Sequence, residues 1–269
     1  MLTGAGRLRA REGVVRCEII DRVALITLNR PEVLNAVNSE VAGALGDLIA
    51  EYGSDPHIRA AVITGAGRAF CSGQDVAALA SGDEAGPLSQ SGRGFAGMTN
   101  QIINKPIVAA VNGLAYGGGL EIALACDIIV MADDARVALP EVKLGLIAAG
   151  GGLPRIAQTL PPKVAAKLLY TGEPIEATDA LRWGLASDIV PRDDVVARSL
   201  EIAHSISANS PRAVQASKRS LQALTTESSW SEDAWRLVAK EYGALVASPD
   251  AEEGTTAFLQ KRSPVWRDD

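Results

Sequence analysis

Residues 112–128 read NGLAYGGGLEIALACDI, three consecutive glycines set directly before a run of helical spacing whose first charged residue is Glu121. Glycine adopts turn conformations that other residues resist, and an acid in a first helical turn faces the positive end of the helix dipole. The stretch therefore reads as a tight turn delivering a helix. Before it, PIVAAVNG (106–113) is short and almost continuously apolar, and DIIVMA (127–132) repeats that pattern after it. Runs of this kind suit strands covered on both faces. Strand, turn, helix and strand in that order predict an α/β core with parallel pairing.

Further upstream, IRAAVITG (58–65) carries the same signature, and VVRCEIIDRVALITLNRP (14–31) divides into two strands around a tight turn at Asp21-Arg22. Val41, Leu45, Leu48 and Ile49 are spaced for a helix over 38–52, with Asn38 or Ser39 as its N-cap. Between Ser81 and Gly97, glycine, serine and aspartate displace periodic apolar residues, which predicts a mobile surface segment able to act as a lid. Beyond Pro191 the strand signals cease. Helices are expected over 193–210, 211–224 and 231–248, started by Asp193, Ser210-Pro211 and Ser231. The expected layout is a flexible leader over 1–13, an α/β core over 14–190 and a helical C-terminal region over 191–269.

Hydrophobic residues make up 47% of the 269, enough to bury a sizeable core. The net charge is −6 and no dense Lys/Arg run occurs, so nucleic-acid binding has little electrostatic support. Cys17, Cys71 and Cys126 are scattered, with neither a disulfide framework nor metal-ligand spacing, which suggests a reducing compartment. The opening residues lack the apolar stretch of a secretory signal, and no apolar run is long enough to span a membrane. A cytoplasmic location is expected. GAGRAF (65–70) ends in Phe70 where a dinucleotide fingerprint needs glycine, and His57 and His204 fit no triad or zinc spacing.

A second strand-to-turn feature lies in GRAFCSGQDVAAL (67–79), where a helix is expected from about Asp75. Two glycine-containing turns can each aim a backbone N–H at one point. Paired donors of that kind suit a thioester carbonyl as it becomes an enolate, because negative charge then gathers on its oxygen. Glycine at the donor would also keep a side chain out of the substrate's approach. Glu141, in ALPEVKLG (138–145), has apolar neighbours and lies twenty residues after Glu121. Burial can separate the proton affinities of two such carboxyls so that one accepts a proton while the other donates.

FCSGQD (70–75), the 112–128 stretch, LPEVKLG (139–145) and AAGGG (148–152) resemble, in order and spacing, the successive signatures of the crotonase (enoyl-CoA hydratase/isomerase) superfamily. LNRPEVLNAVN (28–38) and FLQKRSPVW (258–266) are similar to its terminal signatures. The resemblance implies a spiral of repeated ββα units with C-terminal helices that mediate trimerisation, often into hexamers. It further implies that an acyl-CoA thioester binds with its carbonyl between the amides of Gln74 and Gly118. Glu121 and Glu141 are implied as the catalytic pair adding water across the 2,3 double bond of a trans-2-enoyl-CoA, Glu141 protonating C2 and Glu121 activating the water. Coenzyme A is then part of the substrate, and no metal or redox cofactor is required. Val33, Leu34, Ser72, Gly73, Gln74, Asp75, Val76, Gly117, Gly118 and Pro140 match substrate-lining segments. Lys261 resembles a lysine that reaches a CoA phosphate across a subunit boundary, and equally reads as a solvated tail residue. Asp75 reads more readily as a helix cap than as a catalyst.

Where hydratases of this family often read IPGAGGTQRL, this chain reads IAAGGGLPRI (147–156), with Ala148-Ala149 close to the expected water site. Region 78–98 holds Phe95 as its single aromatic. Related reactions stay open on the same residues: a carnitinyl-CoA dehydratase-like lyase, an enoyl-CoA isomerase, or a non-catalytic acyl-CoA-binding homologue. Two retained acids favour hydration or dehydration over isomerisation, which typically needs one.

Overall fold

In a computed structural model, residues 8–81, 92–224, 240, 242, 244 and 248–267 are described. The described elements are β1 (Val15–Ile20), β2 (Val23–Leu28), α1 (Ser39–Ser54), β3 (Ala60–Gly65), β4 (Ala69–Cys71), α2 (Val76–Ala80), β5 (Ile107–Val111), β6 (Leu114–Tyr116), α3 (Gly118–Leu124), β7 (Ile128–Ala132) and β8 (Arg136–Ala138). They continue with α4 (Gly152–Thr159), α5 (Pro162–Thr171), β9 (Ile175–Glu176), α6 (Ala177–Arg182), β10 (Asp188–Val190), α7 (Val195–Ser207), α8 (Pro211–Leu224) and α9 (Pro249–Gln260).

The antiparallel hairpin β1–β2 turns at Asp21, whose φ of 55° is a left-handed conformation that aspartate tolerates in turns. Asn38 caps α1 by accepting from the Val41 N–H at 3.0 Å. From β3 onward the chain repeats one unit. A long strand enters a sheet ordered β1-β2-β3-β5-β7-β10, a short strand enters a second sheet ordered β4-β6-β8-β9, and a helix follows. β3, β5 and β7 pair in parallel, and β3 and β5 are buried at every position, as their unbroken apolar runs require. The short strands β4, β6 and β8 are also parallel to one another. This is the spiral of ββα units that the resemblance implies.

The described C-terminal helices pack back on this frame. α7 lies against β3, β5 and β7. Arg59, at the start of β3, donates to the carbonyls of Ser207 (3.1 Å) and Trp266 (3.2 Å), while the Trp266 indole donates to Ala208 O at 2.7 Å. The helix expected over 231–248 lies almost wholly outside the described residues.

Two expectations are corrected. Residues 8–13 are tied to the core at two points, with Arg9, Ala10, Glu12 and Gly13 exposed: Leu8 is buried and donates its N–H to Asp55 at 2.7 Å, and Arg11 bridges backbone to backbone with Cys17. A short glycine-rich opening carries no periodicity, so this anchoring left no signal. The expected surface segment 81–97 ends in a buried 3-10 turn, Phe95–Gly97, with residues 82–91 outside the description. Phe95 draws its segment inward because glycines elsewhere leave it a socket.

Candidate active site

The site forms where two of the repeated units turn from short strand into helix. Gly73 takes φ +98°, and a Cβ there would lie 2.8 Å from Tyr116 O and 3.1 Å from Gly118 N. Only glycine lets the 72–75 turn press this closely on the 116–118 turn. Val37 N–H donates to Gly73 O (2.8 Å) and Asp75 N–H donates to Val37 O (2.9 Å). That parallel bridge uses the peptide groups either side of Gln74, so the Gln74 N–H sits on the edge away from Val37. Gly118 opens α3, and a first-turn N–H has no partner within its own helix. Neither amide has an acceptor among the described residues.

Each glycine of the 117–119 triplet answers a different neighbour. A Cβ on Gly117 would stand 3.1 Å from the Glu141 Oε1, one on Gly118 would overlap the Phe95 ring, and one on Gly119 would overlap the Cys71 carbonyl. The expectation that Gly118 clears the substrate's path is thereby corrected: the space beside its Cα is filled by Phe95. That ring was invisible as a site element, its one signal being a lone aromatic in a glycine-rich stretch.

Glu121, in the first turn of α3, is 3% exposed. Its Oε1 accepts the Gly152 N–H at 2.9 Å, and Gly150 abuts the other oxygen so closely that a Cβ would overlap it. Burial raises the proton affinity of Glu121, while the Gly152 and Gly150 amides and the charge of Arg155 pull the other way. Glu141 opens a 3-10 turn, Pro140–Leu144, and is half-buried. Burial raises its pKa too, its own backbone N–H opposes that, and the charge of Glu121 adds to the rise. Its Oε2 is buried with no hydrogen-bond partner among the described residues. The arrangement thus holds one carboxyl fixed by amides and a second with an unsatisfied oxygen, both beside Gly117-Gly118. A second glycine triplet before a helix, Gly150-Gly151-Gly152 before α4, was the sequence signal for the cradle around Glu121. Ala148 is buried against that turn.

The other expected residues divide. Ser72 N–H donates to Leu34 O (3.0 Å) and its hydroxyl to Val33 O (3.4 Å), so Val33, Leu34 and Ser72 line one edge with the 72–75 turn. Val76 is exposed beside them, and Pro140 leads directly into Glu141. Asp75 is occupied: it accepts from the Ala78 N–H (3.1 Å) as the cap of α2 and pairs with Arg30 at 2.9 Å, which lowers its pKa. This is the helix cap expected of it. Lys261 is exposed in a left-handed turn after α9, with no contact to the glutamates among the described residues.

Residues 18–269 match the family described as enoyl-CoA hydratase/isomerase. The carnitinyl-CoA dehydratase of Proteus mirabilis is 41% identical over 248 residues, covering 90% of this chain and 94% of that protein. The enoyl-CoA hydratase of Mycobacterium tuberculosis H37Rv superposes with a TM-score of 0.90 at 37% identity, over 96% of this chain and 100% of the other. A carnitinyl-CoA hydratase from Mycobacterium avium superposes with a TM-score of 0.76 at 44% identity, over 96% of this chain and 100% of the other. With the ββα spiral, the facing turns and the paired glutamates on one side and these likenesses on the other, the chain belongs to the enoyl-CoA hydratase/isomerase family, the crotonases.

Proposed function

We propose that the chain is a hydro-lyase interconverting a 2,3-enoyl-CoA and its 3-hydroxyacyl-CoA. The observation carrying this reading is a buried Glu121 beside a half-buried Glu141 that feels its charge, both next to two unclaimed amides. The thioester oxygen accepts from the N–H groups of Gln74 and Gly118. Water enters between the carboxyls, Glu121 takes one of its protons, and the oxygen bonds to C3. The C2–C3 π electrons move to the carbonyl as an enolate, which the amides stabilise; each such donor is worth roughly 2.7–4 kcal/mol in the transition state. As the carbonyl re-forms, Glu141 delivers its proton to C2 on the same face. Dehydration runs the steps backward.

The acid and base assignments follow from what each carboxyl touches. Amide donors and Arg155 favour Glu121 as the anion, whereas Glu141 feels that anion and has an oxygen without a donor, which favours the protonated form. Trans-2-enoyl-CoA hydration is the primary reading, its steps drawing on residues of this chain, one water and the acyl-CoA. Likeness to carnitinyl-CoA dehydratases favours a second reading, dehydration of carnitinyl-CoA. Following enoyl absorbance with crotonyl-CoA and then carnitinyl-CoA separates the two. Silence with both, together with silence across longer enoyl-CoA esters, would remove the hydro-lyase.

Self-assembly into trimers or hexamers, in the cytoplasm, completes the proposal. Leu144, Leu146, Ile147 and Tyr170 are each more than half exposed near the site, apolar surface that an assembly would cover. Light scattering on the purified protein reads the assembly directly.

A further inference from the structure

We propose that Arg155 is a positioning residue, its guanidinium locking the Gly150–Gly152 turn and so fixing the Glu121 carboxylate for proton transfer. The proposal rests on the reading of Glu121 as the base.

The turn is held in a form that only glycine adopts easily. Gly151 has φ +111°, and a Cβ on it would overlap the Arg155 Nη1. The guanidinium thus occupies the place of the missing side chain and packs on the middle of the turn. Its Nη2 donates to Thr99 O at 2.6 Å, which ties α4 to the segment carrying Phe95. Phe95 closes the same turn from its other end, its Cβ standing 2.8 Å from where a Gly150 Cβ would be. Between those two supports, Gly152 N–H reaches Glu121 Oε1. A planar group with several fixed donors can hold backbone and packing contacts at once; a lysine cannot.

Charge adds to geometry. Arg155 is partly buried near Glu121, and its positive charge opposes the burial that would protonate that carboxyl. The elements around Glu121 bring few other titratable groups. The 140–144 turn brings Glu141, β6 brings Tyr116, and β4 brings Cys71, whose thiol burial pushes up to about 12. Near Arg155 itself stand Cys126, a thiol raised by burial, and the Lys218–Asp127 pair. Among the described residues, Arg155 is thus the one cation whose charge acts on Glu121.

The test uses the full chain as R155M, which keeps bulk without charge, and R155K, which keeps charge without the fork. Carbon-13 NMR of glutamate carboxyls, with Glu121 assigned through E121Q, follows its titration without needing turnover. In R155M the Glu121 titration moves to higher pH, the acid limb of kcat/KM moves with it, and KM stays within about twofold. The kcat falls on the order of 10- to 100-fold, the scale of a misplaced reacting group. In R155K the titration stays near the parent's while kcat remains depressed. Parental titration and parental kcat in folded R155M overturn the proposal. Should R155M not fold, R155K decides: parental kcat overturns it and depressed kcat with parental KM supports it. A parent inactive on every thioester, with Glu121 still shifting in R155M, would sink the hydro-lyase reading and leave the positioning role standing.

Discussion

Glu121 and Glu141 resist ionisation chiefly through burial, to which the charge of Glu121 adds at Glu141, and they differ in what relieves it. Glutamine in either position keeps the shape and removes the exchangeable proton, so E121Q and E141Q should each lower kcat by about 10²- to 10⁴-fold, measured on whichever thioester proves active. Stability should move too. A carboxyl whose folded pKa is raised gives stability that is full below its unfolded value, about 4.3, and lost as pH rises through the folded value. E141Q has no such group at 141 and escapes that loss. Its Tm relative to the parent should therefore climb as pH rises above about 4, and a flat difference in calorimetry would contradict the raised pKa. Both acids were legible in the sequence because each follows a turn signal at a helical start. Their unequal partners were not, since the Gly152 amide reaches Glu121 from a different unit of the spiral.

At the scale of elements, α3 is placed by what its first glycines allow. G118A would push a methyl into the Phe95 ring and should destabilise by about 1–3 kcal/mol, as overpacked cores do. Trimming the ring in F95L should recover part of that loss, with a coupling of roughly 0.5–3 kcal/mol in a double-mutant cycle read by chemical denaturation. Strict additivity would mean that the two do not share the space. G119A offers no comparable rescue, because the atom it meets is the Cys71 carbonyl and a backbone cannot be trimmed. The long strands β3, β5 and β7 were readable from their continuous apolar runs. The three-residue strands β4, β6 and β8 are too short for any period to declare itself, and their sheet is set by pairing between distant segments. The end of segment 81–97 misled for a related reason: its composition is that of a loop, and the burial of Phe95 is decided by glycines at 118 and 150.

Across the whole molecule, the C-terminal helices are joined to the core by buried polar contacts as well as by apolar packing. Lys218 on α8 pairs with Asp127 at 2.8 Å and donates to Lys105 O at 2.8 Å, while Asp127 also accepts the Ile107 N–H. K218M would strand Asp127 and should cost about 3 kcal/mol, the low end for a broken buried pair because Asp127 keeps that amide and some solvent. The expected Tm loss is on the order of 5–10 °C. An unchanged Tm would show that α8 is held by packing alone. The α/β order was visible along the chain, but these ties join residues far apart in sequence and left no local pattern. Cys71 lies sealed beneath the 72–75 turn, its Sγ accepting from Gly73 N–H and donating to Asn35 O. A maleimide can alkylate it only after that turn swings away from the 116–118 turn. Its labelling rate is therefore a clock for breathing of the thioester cradle, and a bound acyl-CoA should slow that clock.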